Sequence, residues 1–563
     1  MSETALDSPG LAVRLRWTGW PGGRRPGGLT LSAVLIALLV SLPVLGVVAS
    51  LTAPAGFDVL SQTPLDTYAL NTLWMMLGVG AITAVVGTGT AWLVVMCRFP
   101  GRRILQWALI LPLAAPAYVL AYAYTDFLQH AGPVQTWLRE ATGWGPRAYW
   151  FPEIRSLGGA ILVFSSVFFP YVYLLARAAF VNQSACMLEV GRSLGAGPWT
   201  LFARVGLPLA RPALAAGVAL ALMETLADFG TVSHFGVQTF TTGIYKAWFS
   251  HGDRVLAAQL STLLLGVALV LLAFEKISRA GRGFGDGRAR FTHLPRYHLG
   301  ARDSVLAIGA CLVPLTLGFL LPVGILIALA MEAGHSVLAP RYVTLAANSF
   351  TLAGLAAGMA VVLALVLAYA HRMRPTPATC TAVHVASLGY AVPGSVIAVG
   401  ILIPLAGFDN ALDAMMRDVV GVSTGLVFTG SIAALLYAYL VRFMTVSVQT
   451  VDSSLTQVTP SMDAAARSLG ASARRALMTV HVPIIRAGVL TAALIVFVDV
   501  MKELPATLIV RPFNFDTLAI QAYRLASDER LAEASTASLA IVAVGLLPII
   551  LLSRTIMRSR PGG

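Results

Sequence analysis

Four acidic side chains lie inside apolar stretches of the sequence, in two pairs. Glu224 and Asp228 form one pair, and Asp499 and Glu503 form the other. Their i, i+4 spacing predicts that both carboxylates of a pair lie on one helix face. An acid in a membrane helix costs about 2.5–3.5 kcal/mol on insertion scales, so such acids usually face a cavity or a partner. Because hard oxygen ligands suit highly charged cations, we expect these four residues to line a substrate pathway and to hold a metal ion transiently.

The same acids also admit a purely structural interpretation. Acids near the outer end of a membrane helix can be hydrated or paired with a nearby cation. Lys502 follows Asp499 by three residues, which is close enough on a helix to neutralise it. The sequence leaves both interpretations open.

The apolar character of the chain indicates which elements position these acids. Of the 563 residues, 57% are hydrophobic and only 12% are charged, about half the charge that is typical of a soluble protein. The apolar residues form runs of about 20 or more, long enough to cross a bilayer as helices. The predicted spans are 29–51, 68–97, 104–127, 157–180, 209–230, 254–275, 304–330, 345–370, 381–405, 423–445, 484–508 and 534–554.

The chain has 39 basic and 26 acidic residues, a formal charge of +13. The basic residues cluster in short segments between apolar runs, as is typical of cytoplasmic loops. This placement predicts a multi-pass membrane protein with both termini in the cytoplasm, and it argues against a nucleic-acid partner. The four cysteines are scattered, without metal-ligand spacing, and we expect no metal or redox role for them.

A Gly-rich basic segment separates two groups of six spans, and we expect it to be a flexible linker. The predicted parts are a cytoplasmic N-terminal tail (1–28), a first repeat (29–275), the linker (276–303), a second repeat (304–555) and a cytoplasmic C-terminal tail (556–563). The first apolar run is longer than the core of a typical signal peptide, so we expect it to stay as an uncleaved membrane helix.

An internal repeat relates the two groups of spans. The pentapeptide Arg192–Ala196 recurs letter for letter as Arg467–Ala471, an offset of 275 residues. Without a gap, the same offset pairs Pro208 with Pro483, Arg211 with Arg486, Phe240 with Phe515, Thr242 with Thr517 and Asp253 with Asp528. One register over about sixty residues predicts a duplicated protein with two parallel repeats.

Each repeat carries a long loop between its fourth and fifth spans. The loop begins with an acid, which favours a helix N-terminus, and continues to a glycine, which readily takes the left-handed conformation that ends a helix. A proline then stands where the next span begins. Proline is well suited to the first turn of a helix, because the N–H that it lacks would have no partner there. The pattern predicts a short helix outside the membrane, joined rigidly to a membrane helix. The residues concerned are Glu189, Gly195 and Pro208 in the first copy, and Asp463, Gly470 and Pro483 in the second.

These loops resemble the EAA loop of permeases from binding-protein-dependent ABC importers. The matching residues are Glu189, Gly195, Leu207 and Pro208, then Ala465, Ala466, Gly470, Val482 and Pro483. Val190 and Gly191 replace two usual alanines in the first copy. In the second, Ala464 stands at the acid position and Asp463 lies one residue earlier. In this family the loop docks into a groove on the ATPase subunit, so the resemblance implies that both loops are ATPase-docking loops.

Residues 501–535 resemble the iron(III) permeases of this superfamily, and residues 223–253 resemble the matching part of their first half. Fused two-copy permeases are typical of that group. The resemblance implies an all-α polytopic membrane protein of the bacterial inner membrane, with about 12 transmembrane helices in two parallel six-helix repeats, a type I ABC importer permease-like fold. It also implies a pathway for ferric iron, with two copies of an ABC ATPase subunit and a periplasmic iron-binding protein as partners.

The chain contains no G-x-x-x-x-G-K-[ST] phosphate loop, so we do not expect it to hydrolyse ATP. We expect no cofactor on this chain; ATP and magnesium would act in the partner ATPase. Thiamine and phosphonates remain open as substrates, because their permeases share this architecture. An ion-coupled secondary transporter would not need two loops with one docking signature. A membrane-embedded enzyme would need a nucleophile–base pair or a metal motif, which we do not find.

Overall fold

The computed structural model describes residues 27–49, 63–145, 148–182, 193, 195, 197–279, 296–334 and 340–558. The helices of the first half are α1 (Gly28–Ala49), α2 (Leu65–Met96), α3 (Arg102–Ala108), α4 (Ala117–Leu128), α5 (Pro133–Thr142), α6 (Leu157–Asn182), α7 (Pro198–Leu201), α8 (Leu207–Ala227), α9 (Gly230–His234), α10 (Phe240–Tyr245) and α11 (Arg254–Arg279). Those of the second half are α12 (Ala301–Leu315), α13 (Leu321–Ala333), α14 (Pro340–Met373), α15 (Pro377–Ala386), α16 (Gly394–Val420), α17 (Ile432–Leu455), α18 (Pro460–Ser468), α19 (Ala473–Ala476), α20 (Val482–Met501), α21 (Pro505–Val510), α22 (Leu518–Ser527) and α23 (Leu531–Arg558).

Eleven stretches of the described residues are helical, long and apolar enough to cross a membrane. The bent pair Arg102–Ala114 and Ala117–Thr142, whose two parts meet at 92°, brings the number of candidate spans to twelve when it is counted as one span. Helices are the expected solution, because backbone groups in hydrocarbon must find their hydrogen bonds within the protein. The predicted all-α fold with about twelve spans is confirmed.

The third and ninth predicted spans are broken rather than continuous, contrary to the prediction. Each break lies at the residue before a proline. Ala115 (φ −104°, ψ 126°) precedes Pro116, and Val392 (φ −88°, ψ 121°) precedes Pro393. The ring of a proline clashes with a helical residue before it and pushes that residue into extended conformation. Both halves therefore carry an interruption at the corresponding place.

The first helix of each half packs against the opposite half. Helix α1 lies on α14, α15 and α16, and the α12–α13 helix lies on α2, α3 and α4. The crossing of α1 and α16 is close, because a Cβ atom on Gly400 would stand 2.2 Å from the carbonyl oxygen of Pro43. Small residues that let two backbones approach are typical of helix contacts in membranes. The two halves are therefore interlocked.

A tyrosine of the opposite half completes the hydrogen bonding of each first helix. Pro43 has no N–H, so the carbonyl of Leu39 lacks its helical donor. The Tyr437 hydroxyl donates to that carbonyl at 2.5 Å. In the second half, the Tyr124 hydroxyl donates to the carbonyl of Leu317, at 2.5 Å, in the π-helical turn before α13. A proline follows that turn as well, and it has no N–H to donate. In each case the tyrosine hydroxyl therefore makes the hydrogen bond that the proline cannot make.

The two described ends of the predicted linker are ordered, contrary to the expectation of a flexible segment over 276–303. Helix α11 continues to Arg279, and strand β2 (Tyr297–His298) pairs in parallel with strand β1 (Cys97–Arg98) at the end of α2. The strand pair satisfies backbone groups that would otherwise need another partner. Residues 280–295 lie outside the described residues.

The register between the repeats changes after α9 and α21. Thr239 and Thr517 are equivalent N-cap residues, since the side chain of each accepts a hydrogen bond from the third backbone N–H of α10 or α22. They stand 278 residues apart, so the ungapped pairing of Thr242 with Thr517 was wrong. The second half has three extra residues in the loop before α22, where Phe513 is 99% exposed.

Candidate functional site

The fifth and eleventh membrane helices end among buried residues, earlier than the sequence predicted. Helix α8 ends at Ala227 and α20 ends at Met501, and the short, mostly buried helices α9 and α21 follow. Asp228 has an extended backbone (φ −73°, ψ 136°), and Glu503 lies two residues beyond α20. The prediction that both acids of a pair lie on one face of a helix is therefore wrong.

Asp228 and Glu503 instead bind the N-termini of α9 and α21. The Thr231 N–H donates to Asp228 Oδ1 at 2.8 Å. The two oxygens of Glu503 accept from the N–H groups of Ala506 (2.8 Å) and Thr507 (3.0 Å). A carboxylate satisfies these unpaired N–H groups and complements the positive end of the helix dipole. The second acid of each pair therefore has the same structural task in both halves.

Glu224 and Asp499 lie one turn before these helix ends, and each has a different partner. Glu224 in α8 accepts a hydrogen bond from the Tyr390 hydroxyl of the opposite half. Asp499 in α20 pairs with Lys502 at 2.9 Å. The neutralising contact that the sequence left open is therefore present for Asp499.

A second cation, Arg442 in α17, was not identified from the sequence. Its Nη1 lies 3.2 Å from Glu503 Oε1, and only 11% of the Arg442 side chain and 2% of the Glu503 side chain are exposed. The repeat places Val167 of α6 at the corresponding position. The sequence feature that could have identified it is a single arginine within the apolar run of α17. A charged residue in a membrane helix usually has a partner or a function.

The four predicted acids line one cavity between the halves, with a volume of about 80 Å³. Arg442 and Lys502 line it too, so four carboxylates and two cations leave a formal charge of −2. The break of the third span contributes Ala115 and Pro116 to its wall, and Tyr390 lies two residues before the break of the ninth span. Its lining includes Pro116, Glu224, Asp228, Tyr390, Asp499 and Glu503. Irregular backbone at membrane depth is tolerated where it lines such a cavity.

The acids do not form an assembled metal site. Within the part of the chain that the structure describes, no three His, Cys, Asp or Glu side chains are grouped as ligands for a metal ion. Each of the four carboxylates already has a partner of its own, and those contacts hold the acids apart. The arrangement can attract a cation electrostatically, but it has no preformed coordination shell.

The docking loops are described unequally. Glu189 and most of the first loop lie outside the described residues. Gly195 (φ +77°) and Gly470 (φ +74°) both have the left-handed conformation predicted for a residue that ends a helix. Pro208 and Pro483 stand in the first turns of α8 and α20, each directly after a π-helical turn.

The acid of the second loop points into the protein. Asp463 on α18 is 5% exposed, and its carboxylate contacts His481 (2.7 Å) and Arg372 (2.8 Å). The outward surface of this loop carries two exposed apolar side chains, Leu469 (86% exposed) and Met462 (40% exposed). Direct contact of Asp463 with an ATPase stays a prediction, but its carboxylate is engaged internally in this structure.

Several known proteins are similar to this chain. It is 26% identical to the Fe(3+)-transport system permease protein FbpB 2 of Haemophilus influenzae, over 94% of this chain and 99% of that protein. It is 29% identical to the molybdenum transport system permease protein ModB of Escherichia coli, over 34% of this chain and 84% of that protein. The putative 2-aminoethylphosphonate transport system permease protein PhnU of Salmonella choleraesuis is 27% identical, over 38% of this chain and 75% of its own length. No protein-family model matches the chain.

These similarities agree with the eleven to twelve candidate spans among the described residues, the repeated loop sequence and the cavity between the halves. FbpB 2 matches both halves at once, whereas ModB and PhnU match about the length of one half. Such permeases are transport subunits and not enzymes themselves. The chain is a multi-pass inner-membrane protein, and over nearly its full length it is similar to a fused permease subunit of an ABC transporter.

Proposed function

We propose that this permease forms the pathway for ferric iron in an ABC importer. The observation that supports this most directly is the cavity, in which four carboxylates outnumber two cations. In the low-dielectric interior of a membrane protein, a net negative cavity attracts a trivalent cation and repels an anion. The full-length similarity to an iron(III) permease agrees with this charge.

An anionic substrate fits the cavity less well. Molybdate or a phosphonate would need Arg442 and Lys502 as donors, but these cations are paired with Glu503 and Asp499. Breaking either ion pair would leave a carboxylate facing the anion. The absence of a preformed metal site among the described residues suits transit, because a pathway must bind its ion weakly enough to release it.

The proposed complex contains this chain, two ATPase subunits on the two docking loops, and a periplasmic binding protein that delivers iron to the outer face. Both termini would lie in the cytoplasm, on the side of the docking loops. ATP and magnesium would act in the ATPase subunits. Closure of those subunits would bring the loops together, rock one half against the other and open the cavity outward.

The test is uptake of radioactive iron by the assembled complex, divided by the amount of permease in the membrane. Glu224→Gln with Asp499→Asn removes two charges that do not cap a helix. We expect uptake to fall at least about tenfold, the equivalent of roughly 1.4 kcal/mol of lost attraction. The control is Asp413→Asn, because Asp413 pairs with Arg417 outside the cavity.

Unchanged iron uptake in this variant, and in the quadruple variant that adds Asp228→Asn and Glu503→Gln, would contradict the proposal. It would remove the acids from the pathway and make thiamine or a phosphonate the substrate to test next. Labelled thiamine and 2-aminoethylphosphonate are therefore measured in parallel with the unmodified complex. Uptake of either one without uptake of iron would also contradict the proposal.

A further inference from the structure

Asp463, Arg372 and His481 form a buried cluster that joins three elements. Asp463 belongs to the docking helix α18, Arg372 to the end of α14, and His481 to the turn before α20. Asp463 Oδ2 lies 2.8 Å from Arg372 Nη2, and Asp463 Oδ1 lies 2.7 Å from His481 Nε2. The three side chains are at most 9% exposed.

Arg372 also holds the chain that leads into the docking helix. Its guanidinium donates to the carbonyls of Leu455 (2.8 Å) and Val458 (2.7 Å), at the end of α17 and just after it. The fixed fork of the guanidinium suits several acceptors at once. The docking helix is therefore held from both sides, by α14 before it and by the π-helical turn that precedes α20 after it.

Helix α20 carries this connection toward the cavity. It is helical from Val482 to Met501 and contains Asp499, which lines the cavity about five turns from His481. A continuous helix transmits a displacement of one end to the other, because its hydrogen-bond ladder resists bending. A push on α18 would therefore reach the cavity through this cluster.

The sequence of the first half lacks the side chains of this cluster at the equivalent positions. The offset of 275 places Leu188 at the position of Asp463, Gly206 at that of His481 and Cys97 at that of Arg372. Gly206 instead leaves room for Trp92, whose ring would stand 2.7 Å from an added Cβ atom. The one-residue displacement of the acid in the second loop thus has a physical reason. A shift of one residue turns a helical side chain by about 100°, which here turns the carboxylate inward.

We propose that Asp463, Arg372 and His481 are positioning residues that couple the second docking loop to the cavity, while the exposed surface around Leu469 binds the ATPase. The inference rests on the docking role proposed for α18 and not on the identity of the substrate. It predicts that docking and coupling can be separated by mutations on opposite sides of one short helix.

The experiment compares Asp463→Asn with Leu469→Ala in the complex of permease, ATPase subunits and binding protein. For Asp463→Asn we expect ATPase co-purification within about twofold of the unmodified complex, and a roughly tenfold loss of ATPase stimulation by loaded binding protein, a typical coupling effect. For Leu469→Ala we expect weaker co-purification. His481→Gln retains an N–H donor and should keep most of the stimulation, whereas His481→Leu should lose it.

A measurement without any cargo separates this proposal from the iron proposal. Spin labels at Ser468 on α18 and Thr491 on α20 report the distance between the two helices. We expect one narrow distance distribution with and without ATP in the unmodified chain, and a broader one in the Asp463→Asn and His481→Leu variants. An unchanged distance distribution in both variants would overturn the proposal. It would also be overturned if the Asp463→Asn variant lost ATPase co-purification while the ATPase that remained bound was stimulated normally. Failure of iron to stimulate even the unmodified complex would count only against iron.

Discussion

At the scale of single residues, the four acids of the cavity have two different tasks. Asp228 and Glu503 cap helices, whereas Glu224 and Asp499 have no capping role. The sequence predicted that all four would come together, because it showed the repeat and the cost of a buried charge. It did not show the caps, because the predicted spans 209–230 and 484–508 ran on past Asp228 and Glu503, although Pro505 is a signal for a new helix start.

The ion pair of Arg442 with Glu503 gives the sharpest prediction at this scale. Glu503→Gln should destabilise the protein by about 3–5 kcal/mol, because it leaves a buried guanidinium without its counter-charge. The double variant Glu503→Gln with Arg442→Met should recover much of that loss. Thermal unfolding of the purified permease measures both. Equal losses in the single and the double variant would show that capping of α21, and not the ion pair, is the main contribution.

At the scale of elements, the interrupted spans show where sequence reasoning reaches its limit. Proline alone does not predict a break, because Pro43 and Pro170 lie inside helices that continue. Pro116 and Pro393 instead stand at breaks, as the N-cap residues of α4 and α16, and the first of these breaks lines the cavity. The difference lies in what packs around each proline, which the apolar pattern does not encode. Helix number was predictable from run length, but helix continuity was not.

Gly394, at the start of α16, lies close to the ion pair of Arg442 with Glu503, so substitution of this glycine tests how tightly α16 packs there. A Cβ atom there would stand 2.1 Å from Arg442 Nη1 and 2.9 Å from Glu503 Oε1. Gly394→Ala should therefore destabilise the permease by about 1–3 kcal/mol, the usual cost of overpacking. Gly407→Ala in the same helix is the control, because nothing lies within 4 Å of its added Cβ atom. A stable Gly394→Ala variant would indicate that α16 can move away from the pair.

The glycines predicted to end the two docking helices give a prediction about coupling. Gly195 and Gly470 have φ near +75°, which proline cannot adopt because its ring fixes φ near −65°. Gly195→Pro and Gly470→Pro should leave membrane insertion intact and abolish stimulation of the ATPase by loaded binding protein. Gly421→Pro is the control, because Gly421 has φ +73° at the end of α16, outside both docking loops. Normal stimulation in both docking-loop variants would contradict the assignment.

A similar asymmetry applies to the acids of the two loops. We expect Glu189→Ala to reduce ATPase co-purification more than Asp463→Ala does, because the Asp463 carboxylate is turned away from the loop surface. A pull-down with the ATPase subunit measures both variants. Equal defects in co-purification would mean that Asp463 reaches the ATPase after all.

At the scale of the whole molecule, the exchange of first helices binds the two halves together. Helix α1 packs on the second half, and α12 and α13 pack on the first. We therefore expect a chain that is cut between residues 280 and 295 to assemble from its two co-expressed parts. Capture of one tagged half should recover the other. Removal of residues 1–62 from the first part should weaken that capture strongly, and full capture without α1 would contradict its role.

The same exchange sets an order of events during synthesis. The surface that receives α1 is complete only when α16 has been made, about 370 residues after Ala49. At about 5–20 residues per second, α1 waits roughly 20–70 s for its partner. During that time the carbonyl of Leu39 has no Tyr437 hydroxyl to pair with. Helix α1 is thus made long before its final neighbours, and until they are made its apolar surface must face lipid or the insertion machinery.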